Sequence, residues 1–200
     1  MRERVKRLFR ALAVIAILPA IVSFRLRAIL IGRDRALAGT TQALAVIPGI
    51  VGQYLRRAFL SQAIEHCAPD ATIEFGTVFS KAGARIDGKA YIGPRCHLGL
   101  VHIGRDVLLA AGVHVPSGGA IHGTSDVTRP IREQEGTVAL VRIGEGSWVG
   151  SVAVVMADVG RHSVVGAGSV VTKPIPEFVI AAGVPAKVVR SRRPSNGSQP

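Results

Sequence analysis

Aromatic residues and cysteines are both scarce in this chain. Phe, Tyr and Trp make up 4% of its 200 residues although 48% are hydrophobic, so the core must be built from Val, Ile, Leu and Ala. Such a core suits stacked short strands, in which branched aliphatic side chains fill a narrow interior. The two cysteines, Cys67 and Cys96, cannot form a disulfide scaffold, so we expect reduced thiols in a cytoplasmic protein.

Acidic residues are also few, and the net charge of +12 is concentrated at the two ends of the chain. Residues 1–35 carry nine Lys or Arg against Glu3 and Asp34. Four more basic residues lie near the end of the chain: Lys187, Arg190, Arg192 and Arg193. The middle of the chain is close to neutral and shows no basic stripe, so we expect no nucleic-acid partner. A basic and apolar N-terminus favours contact with an anionic membrane surface.

Residues 11–24 form an uncharged and almost wholly apolar run between Arg10 and Arg25. The run is shorter than the about 20 residues that span a bilayer, and Pro19 would kink a helix. We interpret residues 1–38 as a membrane-associating segment whose helix lies in or dips into the inner leaflet. This interpretation predicts a cytoplasmic protein at the inner face of the plasma membrane. A buried helix of the globular fold and a cleaved signal peptide are the alternatives.

Residues 39–70 are predicted to form a helical cap. Two helical pieces, 39–47 and 50–66, are separated by Pro48-Gly49. The second piece places Val51, Tyr54, Leu55, Ala58 and Phe59 on one apolar helix face, and Arg56 and Arg57 on another.

From residue 71 to residue 176 an apolar residue recurs at about every sixth position, often followed by a small residue. The recurring residues are Ile86, Ile92, Leu98, Ile103, Leu109, Val115, Ile121, Ile143, Val149, Val155, Val159, Val165 and Val171. This period fits a coil with three flat sides, each made of one short strand and one turn, whose successive coils pair as parallel strands. The recurring residue points inward, and the pattern predicts roughly four coils. The pattern breaks once, at a loop over residues 122–142.

These features predict a mainly β protein, a parallel β-helix with an N-terminal α-helical segment and a C-terminal extension. The coil is expected over residues 71–176 and the extension over 177–200. Because a coil of stacked strands leaves an open end, residues 177–190 are expected to cap it. Residues 194–200 (PSNGSQP) are predicted to be disordered.

Three stretches of the coil resemble the hexapeptide-repeat acyltransferases, the left-handed parallel β-helix superfamily. They are IGEGSWVGS (143–151), VGAGSVVTKPIP (165–176) and AAGVPAKVVR (181–190). The chain looks most like the galactoside/maltose and exopolysaccharide O-acetyltransferase branch, in which a loop with one His interrupts the coil where residues 122–142 do. The resemblance implies a left-handed coil, acetyl-CoA as co-substrate without a metal, and a homotrimer with active sites between subunits.

His122 is the predicted general base. Acyl transfer from a thioester to a hydroxyl requires a base, a donor to the oxyanion and a cleft for the pantetheine arm. His122 lies at the break of the repeat in the glycine-rich string SGGAIHGTSD, and this position matches the catalytic His of the family. Asp126, Glu133 or a backbone carbonyl are the candidates for orienting its ring.

The resemblance also implies a site for acetyl-CoA along the later turns of the coil. Its residues are Trp148, Gly150, Ser151, Ala167, Gly168, Thr172, Lys173, Lys187 and Arg190. A backbone N–H near Gly150 and Ser151 is expected to hold the oxyanion. Lys173 and Arg190 suit the phosphates of coenzyme A, and Lys187 is a further candidate.

The sequence therefore predicts an O-acetyltransferase that moves an acetyl group from acetyl-CoA to a sugar hydroxyl of a glycan or glycolipid, in polysaccharide biosynthesis. A small acceptor such as serine, an antibiotic or an amino sugar is one alternative, and a non-catalytic membrane-tethered scaffold is another. A third is a zinc enzyme, because His97 and His102 have the spacing of a zinc pair in the γ-class carbonic anhydrases of the same superfamily. His66 is the upstream candidate for the third ligand, but it lies before the coil begins.

Overall fold

The computed structural model describes residues 2–193, which form three helices followed by a parallel β-coil. The helices are α1 (Arg2–Ile31), α2 (Arg33–Ala45) and α3 (Gly49–Ala63). Gly32 separates α1 from α2 with a φ of 84°, a left-handed value that glycine adopts without strain. The expected interruption at Pro48-Gly49 is observed, whereas residue 38 falls inside α2. The predicted disorder of residues 194–200 concerns a segment outside the described residues.

Helix α1 packs against α2 and α3 along one face instead of forming a separate segment. Ala13, Ile17, Ile21 and Phe24 are buried, and their spacing of four, four and three positions follows one side of a helix. The Phe24 ring meets the Phe59 ring edge to face, with centroids 5.5 Å apart. Pro19 lies inside the continuous helix.

Arg56 is buried, contrary to the expected polar face of α3, with 3% of its surface exposed. Its guanidinium donates hydrogen bonds to the carbonyl oxygens of Ile47 at 2.7 Å, Leu44 at 3.2 Å and Ile73 at 3.0 Å. Leu44 and Ile47 lie at and just beyond the C-terminal end of α2, where carbonyl groups lack the regular helical partner, and Ile73 lies in the short strand Thr72–Ile73. Arg56 therefore joins the helical cap to the first turn of the coil.

The coil consists of three sheets that form its three sides, and all their strand pairs are parallel except the last pair of the second side. The first side contains β1 (His66–Cys67), β4 (Arg85–Ile86), β7 (Val101–Ile103) and β10 (Val141–Ile143). The second contains β2 (Thr72–Ile73), β5 (Tyr91–Ile92), β8 (Leu108–Leu109), β11 (Trp148–Val149), β13 (Val164–Val165), β15 (Val179–Ala182) and β16 (Lys187–Ser191). The third contains β3 (Val78–Phe79), β6 (His97–Leu98), β9 (His114–Val115), β12 (Val154–Val155) and β14 (Val170–Val171).

The recurring apolar residues stack inside the coil in register. On the second side, Ile73, Ile92, Leu109, Val149, Val165 and Ala181 are paired in that order from one turn to the next, and each has 0% of its surface exposed. The core is therefore a column of aliphatic side chains, which explains how the chain folds with so few aromatic residues. The predicted parallel β-helix fold with its N-terminal helical segment is confirmed.

The coil is longer than the sequence pattern indicated. It has about six turns instead of four, and it begins at β1, before residue 71. At the other end β15 continues the second side, and β16 pairs with it in antiparallel orientation, so part of the expected C-terminal extension belongs to the coil. Ile121 was expected to point inward but is 38% exposed, because the chain has already left the coil at this point.

Candidate active site

Two corners of the coil carry most of the predicted site residues. We call the corner between the third and first sides the loop corner, because the long loop leaves β9 and returns at β10 there. We call the corner between the second and third sides the small-turn corner. It contains Gly150, Ser151, Ala167 and Gly168, in two successive turns.

The loop covers residues 116–140 in the structure, a wider span than the expected 122–142, because Val141 already belongs to β10. Its two arms are joined by backbone hydrogen bonds. The Ala139 N–H donates to the Ser117 carbonyl at 2.8 Å, and the Thr137 N–H donates to the Ala120 carbonyl at 2.6 Å. A short 3-10 helix, Ile131–Glu133, lies between the arms.

Glycines allow the two arms to touch next to His122. A Cβ atom at Gly136 would collide with the backbone of Ile121 and His122, and a Cβ at Gly123 would come within 2.6 Å of the Glu135 carbonyl oxygen. The backbones of the two arms therefore approach each other closely at His122. Gly136 fixes the position of the His122 backbone, and the repeat pattern gave no sign of this role.

Gln134 organises the outer part of the loop. Its side chain is 9% exposed, and its amide nitrogen donates to the carbonyls of Asp126 at 2.7 Å and Arg129 at 3.0 Å. Its amide oxygen accepts from the Asp126 N–H at 3.1 Å. A buried side-chain amide with three such bonds acts as a clip that gives an otherwise irregular loop one conformation.

The carboxylates proposed to orient His122 are engaged elsewhere. Asp126 accepts hydrogen bonds from the Thr128 hydroxyl at 2.7 Å and the Thr128 N–H at 2.9 Å, and these bonds lower the pKa of Asp126. Glu133 pairs with Arg132 at 3.7 Å. The imidazole of His122 is exposed and forms no hydrogen bond with any described side chain or backbone group, so it is open to a substrate or a neighbouring subunit.

The small-turn corner shows which backbone N–H groups are available. The residue after each inward residue donates to the next turn: Gly93 to Leu109, Ala110 to Val149, Gly150 to Val165 and Gly166 to Ala181. The N–H of Gly150, at 2.8 Å from the Val165 oxygen, is therefore engaged in the sheet and cannot also bind an oxyanion. The N–H of Ser151, one position later, has no acceptor in the described part of the chain, so Ser151 is the donor candidate of this pair.

The backbone of the next turn leaves no room for a side chain at Gly150. A Cβ atom at this position would come within 2.5 Å of the Ala167 nitrogen in the next turn, so glycine permits the two turns to stack. Ala167 and Gly168 are exposed, and no atom lies within 4 Å of the position of a Cβ at Gly168. This surface offers open space and backbone polar groups to an extended ligand.

The remaining predicted site residues lie in three places. Trp148 is in β11 on the second side and is 51% exposed. Thr172 and Lys173 follow β14 at the loop corner, and both are exposed. Lys187 and Arg190 lie in the exposed strand β16, opposite Ala182 and Ile180. Within one chain, His122 and Ser151 lie at different corners, so a single subunit does not bring the predicted base and oxyanion donor together.

The histidines of the zinc alternative lie on different sides of the coil. His97 is in β6 on the third side, where its ring stacks on that of His114 with centroids 5.2 Å apart. His102 is in β7 on the first side, and its Nε2 lies 3.0 Å from Asp87. His97 and His102 therefore cannot bind one ion within a single chain. Among the side chains that the structure describes, those of residues 7–193, no group of three His, Cys, Asp or Glu is placed to hold a metal ion.

Neither cysteine is suited to act as a nucleophile. Both thiols are free and buried, and burial raises the pKa of Cys67 to about 12 and that of Cys96 to about 11. At neutral pH both remain protonated, so neither provides the thiolate that a nucleophilic cysteine requires.

A parallel β-coil of six-residue repeats, interrupted by a histidine loop, resembles the architecture of the hexapeptide acyltransferase class. Comparison with known proteins supports this class. The Mycobacterium tuberculosis protein Rv3034c, a probable acetyltransferase, is 31% identical over 151 residues, which cover 68% of this chain and 50% of that protein. The galactoside O-acetyltransferase of Escherichia coli is 52% identical over 52 residues, or 25% of this chain and 26% of that enzyme.

A solved structure of a galactoside acetyltransferase in complex with coenzyme A superposes with a TM-score of 0.63 and 25% identity. The superposition covers 80% of this chain and 81% of that one. No family model matches the chain. The chain spans half of the length of the mycobacterial relative and about a quarter of the Escherichia coli enzyme. Its homologues are acetyltransferases, and the resemblance to the left-handed β-helix acyltransferases is confirmed.

Proposed function

We propose that the protein is an O-acetyltransferase that transfers an acetyl group from acetyl-CoA to a hydroxyl of a sugar in a glycan or glycolipid. The observation that carries this proposal is the glycine-clamped loop that presents His122 at the single break of the coil. Its support comes from relatives that are acetyltransferases and from the similar structure that binds coenzyme A.

The residues of the chain suit direct transfer without a covalent acyl-enzyme. His122 accepts the proton of the acceptor hydroxyl while the hydroxyl oxygen forms a bond to the thioester carbonyl carbon. The Ser151 N–H donates to the oxyanion of the tetrahedral intermediate. When the carbon–sulfur bond breaks, the protonated His122 returns its proton to the leaving thiolate, so the enzyme ends in its starting state.

The acetyl donor fits the outer surface of the later turns. The open space at Gly168 and the unpaired N–H of Ser151 suit the pantetheine arm, and the exposed cations Lys187 and Arg190 on the second side suit the phosphates. Lys173 lies at the loop corner, so it would reach this donor only from the neighbouring subunit. The thioester would then lie at the small-turn corner, close to Trp148.

The active site is completed by a second copy of the chain in this proposal. His122 and Ser151 lie at different corners of one coil, so a homotrimer in which the loop corner of one subunit faces the small-turn corner of its neighbour would unite them. Light scattering should then give three times the chain mass of 21.0 kDa. An active monomer would contradict this arrangement.

The loop offers a place for a polar acceptor. A depression of about 350 Å³ lies beside Gly123 and is lined mainly by polar side chains of Ser125, Asp126, Arg129, Glu133, Gln134 and Glu135. Its volume is at the small end of ligand sites, and its hydrogen-bonding groups suit a sugar ring better than an apolar acceptor.

The proposal is tested with the purified chain, acetyl-CoA and a panel of acceptors. We expect release of free coenzyme A, followed with a thiol reagent, in the presence of oligosaccharides with free hydroxyls, and an ester in the product by mass spectrometry. Faster reaction with serine, or an amide product from an amino sugar, would favour the small-acceptor alternative. Failure to bind acetyl-CoA in calorimetry would instead favour the scaffold.

A further inference from the structure

Helix α1 exposes a continuous row of large apolar side chains. Leu8, Leu12, Ile15, Leu18, Val22 and Leu26 recur every three or four residues and are between 49% and 64% exposed. We call these six residues the outer face of α1. A surface of this length with no partner within the described chain is unusual for a soluble monomer and indicates an interaction site.

The opposite face of α1 is already occupied by protein. Ala13, Ile17, Ile21 and Phe24 pack into the core shared with α2 and α3. Farther along, the Arg27 guanidinium donates to the Thr40 hydroxyl at 2.7 Å. The helix is therefore fixed to the cap from Ala13 to Arg27, with the outer face turned away from it.

By length and composition alone, residues 7–31 could cross a membrane: the mean hydropathy of their most apolar 18-residue window is 2.2, and 17% of that window is buried. The packing of α1 opposes that orientation. Arg10 and Val14 line a pocket together with Arg57 of α3 and with Cys67 and Pro69 of the first coil turn. A spanning α1 would draw these charged and polar neighbours into the hydrocarbon, which is strongly unfavourable.

The charge on α1 favours an anionic surface. Arg7 and Arg10 precede the apolar stretch, Arg25 and Arg27 follow it, and residues 7–33 contain no Asp or Glu. Arg7 and Arg25 are exposed. Basic side chains at both ends of an apolar helix face are typical of helices that lie in the headgroup region of anionic bilayers.

We propose that the outer face of α1 is a membrane-docking surface, and that α1 lies in the plane of an anionic bilayer with the cap and the coil on its aqueous side. The outer face enters the boundary between headgroups and acyl chains, while the exposed Arg7 and Arg25 contact the headgroups. This orientation uses the one face of α1 that the cap leaves free, and it does not depend on the proposed enzymatic activity.

Binding is tested with the full chain and vesicles of phosphatidylglycerol and phosphatidylethanolamine, with phosphatidylcholine vesicles as comparison. We expect co-sedimentation with the anionic vesicles, weakened by 0.5 M salt because screening reduces the contribution of the arginines. The double variant Ile15→Glu/Val22→Glu should lose at least tenfold in affinity. The control Val127→Glu, at a position that is 95% exposed on the loop, should bind like the wild type.

The orientation of α1 is tested by the depth in the bilayer of a fluorophore attached to a single introduced cysteine, in the separate variants Leu8→Cys, Leu18→Cys and Leu26→Cys. The native Cys67 and Cys96 are buried and should remain unlabelled. Quenching by brominated lipids should place all three positions at one shallow depth. A profile that is deepest at Leu18 would show a spanning helix and overturn the proposal. The absence of vesicle binding would also overturn the proposal. A change in oligomer mass in the Ile15→Glu/Val22→Glu variant would overturn it as well, because it would show that the outer face is buried between copies of the chain.

Discussion

The His122→Ala variant is expected to lose between about 10²- and 10⁴-fold in kcat for acetyl transfer, because no other group would accept the proton of the acceptor hydroxyl. Binding of acetyl-CoA should be unchanged, since the donor surface lies at the small-turn corner. The thermal midpoint should also be unchanged, because the His122 imidazole is exposed and forms no hydrogen bond with any described side chain or backbone group. The measurements are steady-state kinetics, calorimetry with acetyl-CoA and a melting curve.

The matched control is His66→Ala. His66 is also an exposed imidazole, but it lies in β1, the first strand of the coil, and its nearest charged group is Asp87 at 3.9 Å. We expect this variant to keep the kcat of the wild type. If His122→Ala retains near-normal transfer while it still binds acetyl-CoA, the base is another group and the mechanism proposed above is wrong.

The fold could be predicted because its main determinant is periodic in the sequence. An inward aliphatic residue at every sixth position pairs with its equivalent in the next turn, as Val149 does with Leu109 and Val165, so the pattern contains the register. The ends of the coil were harder to predict. The first strand, His66–Cys67, comes directly after α3 and has too few repeats around it to show a period.

Residues that act through tertiary contacts were not predicted. Ile121 continues the six-residue spacing of the coil. The chain has already left the coil near Gly118, which has a φ of 97°, and the spacing of apolar residues does not show this change of direction. Arg56 has the polarity of a surface residue, yet three carbonyls from two other segments pair with it. Spacing along one helix cannot reveal partners that are distant in sequence.

In the candidate site too, residues marked by the repeat or the family motifs could be predicted, whereas residues that act through tertiary contacts could not. The break in the repeat located His122, and the family resemblance located the small turns. In this coil the residue after each inward residue donates its N–H to the next turn. Gly150 follows the inward residue Val149, so the repeat itself distinguishes the engaged N–H of Gly150 from the N–H of Ser151, which is free within the described chain. Gly136 and Gln134 were missed because a glycine and a glutamine in a loop have no distinctive pattern until the arms of the loop are seen in contact.

Substitution of Gly136 is expected to have the second large effect on activity. The Gly136→Ala variant is expected to lower kcat on the order of 10²-fold, because the added methyl group would collide with the Ile121–His122 backbone and displace the imidazole from the acceptor hydroxyl. The KM for acetyl-CoA should not change, since Gly136 lies in the loop and not at the donor surface. The thermal midpoint should change little, because the loop is outside the stacked core.

Gly119→Ala is the matched control in the same loop. A Cβ atom at Gly119 would meet only the side chain of Met156, at 3.9 Å, which is an ordinary van der Waals contact, so this variant should retain full activity. A double-mutant cycle then separates positioning from general damage to the loop. If Gly136 acts only through His122, Gly136→Ala should cause no further loss in the His122→Ala background. A further loss of similar size there would mean that Gly136 shapes the acceptor site independently of His122.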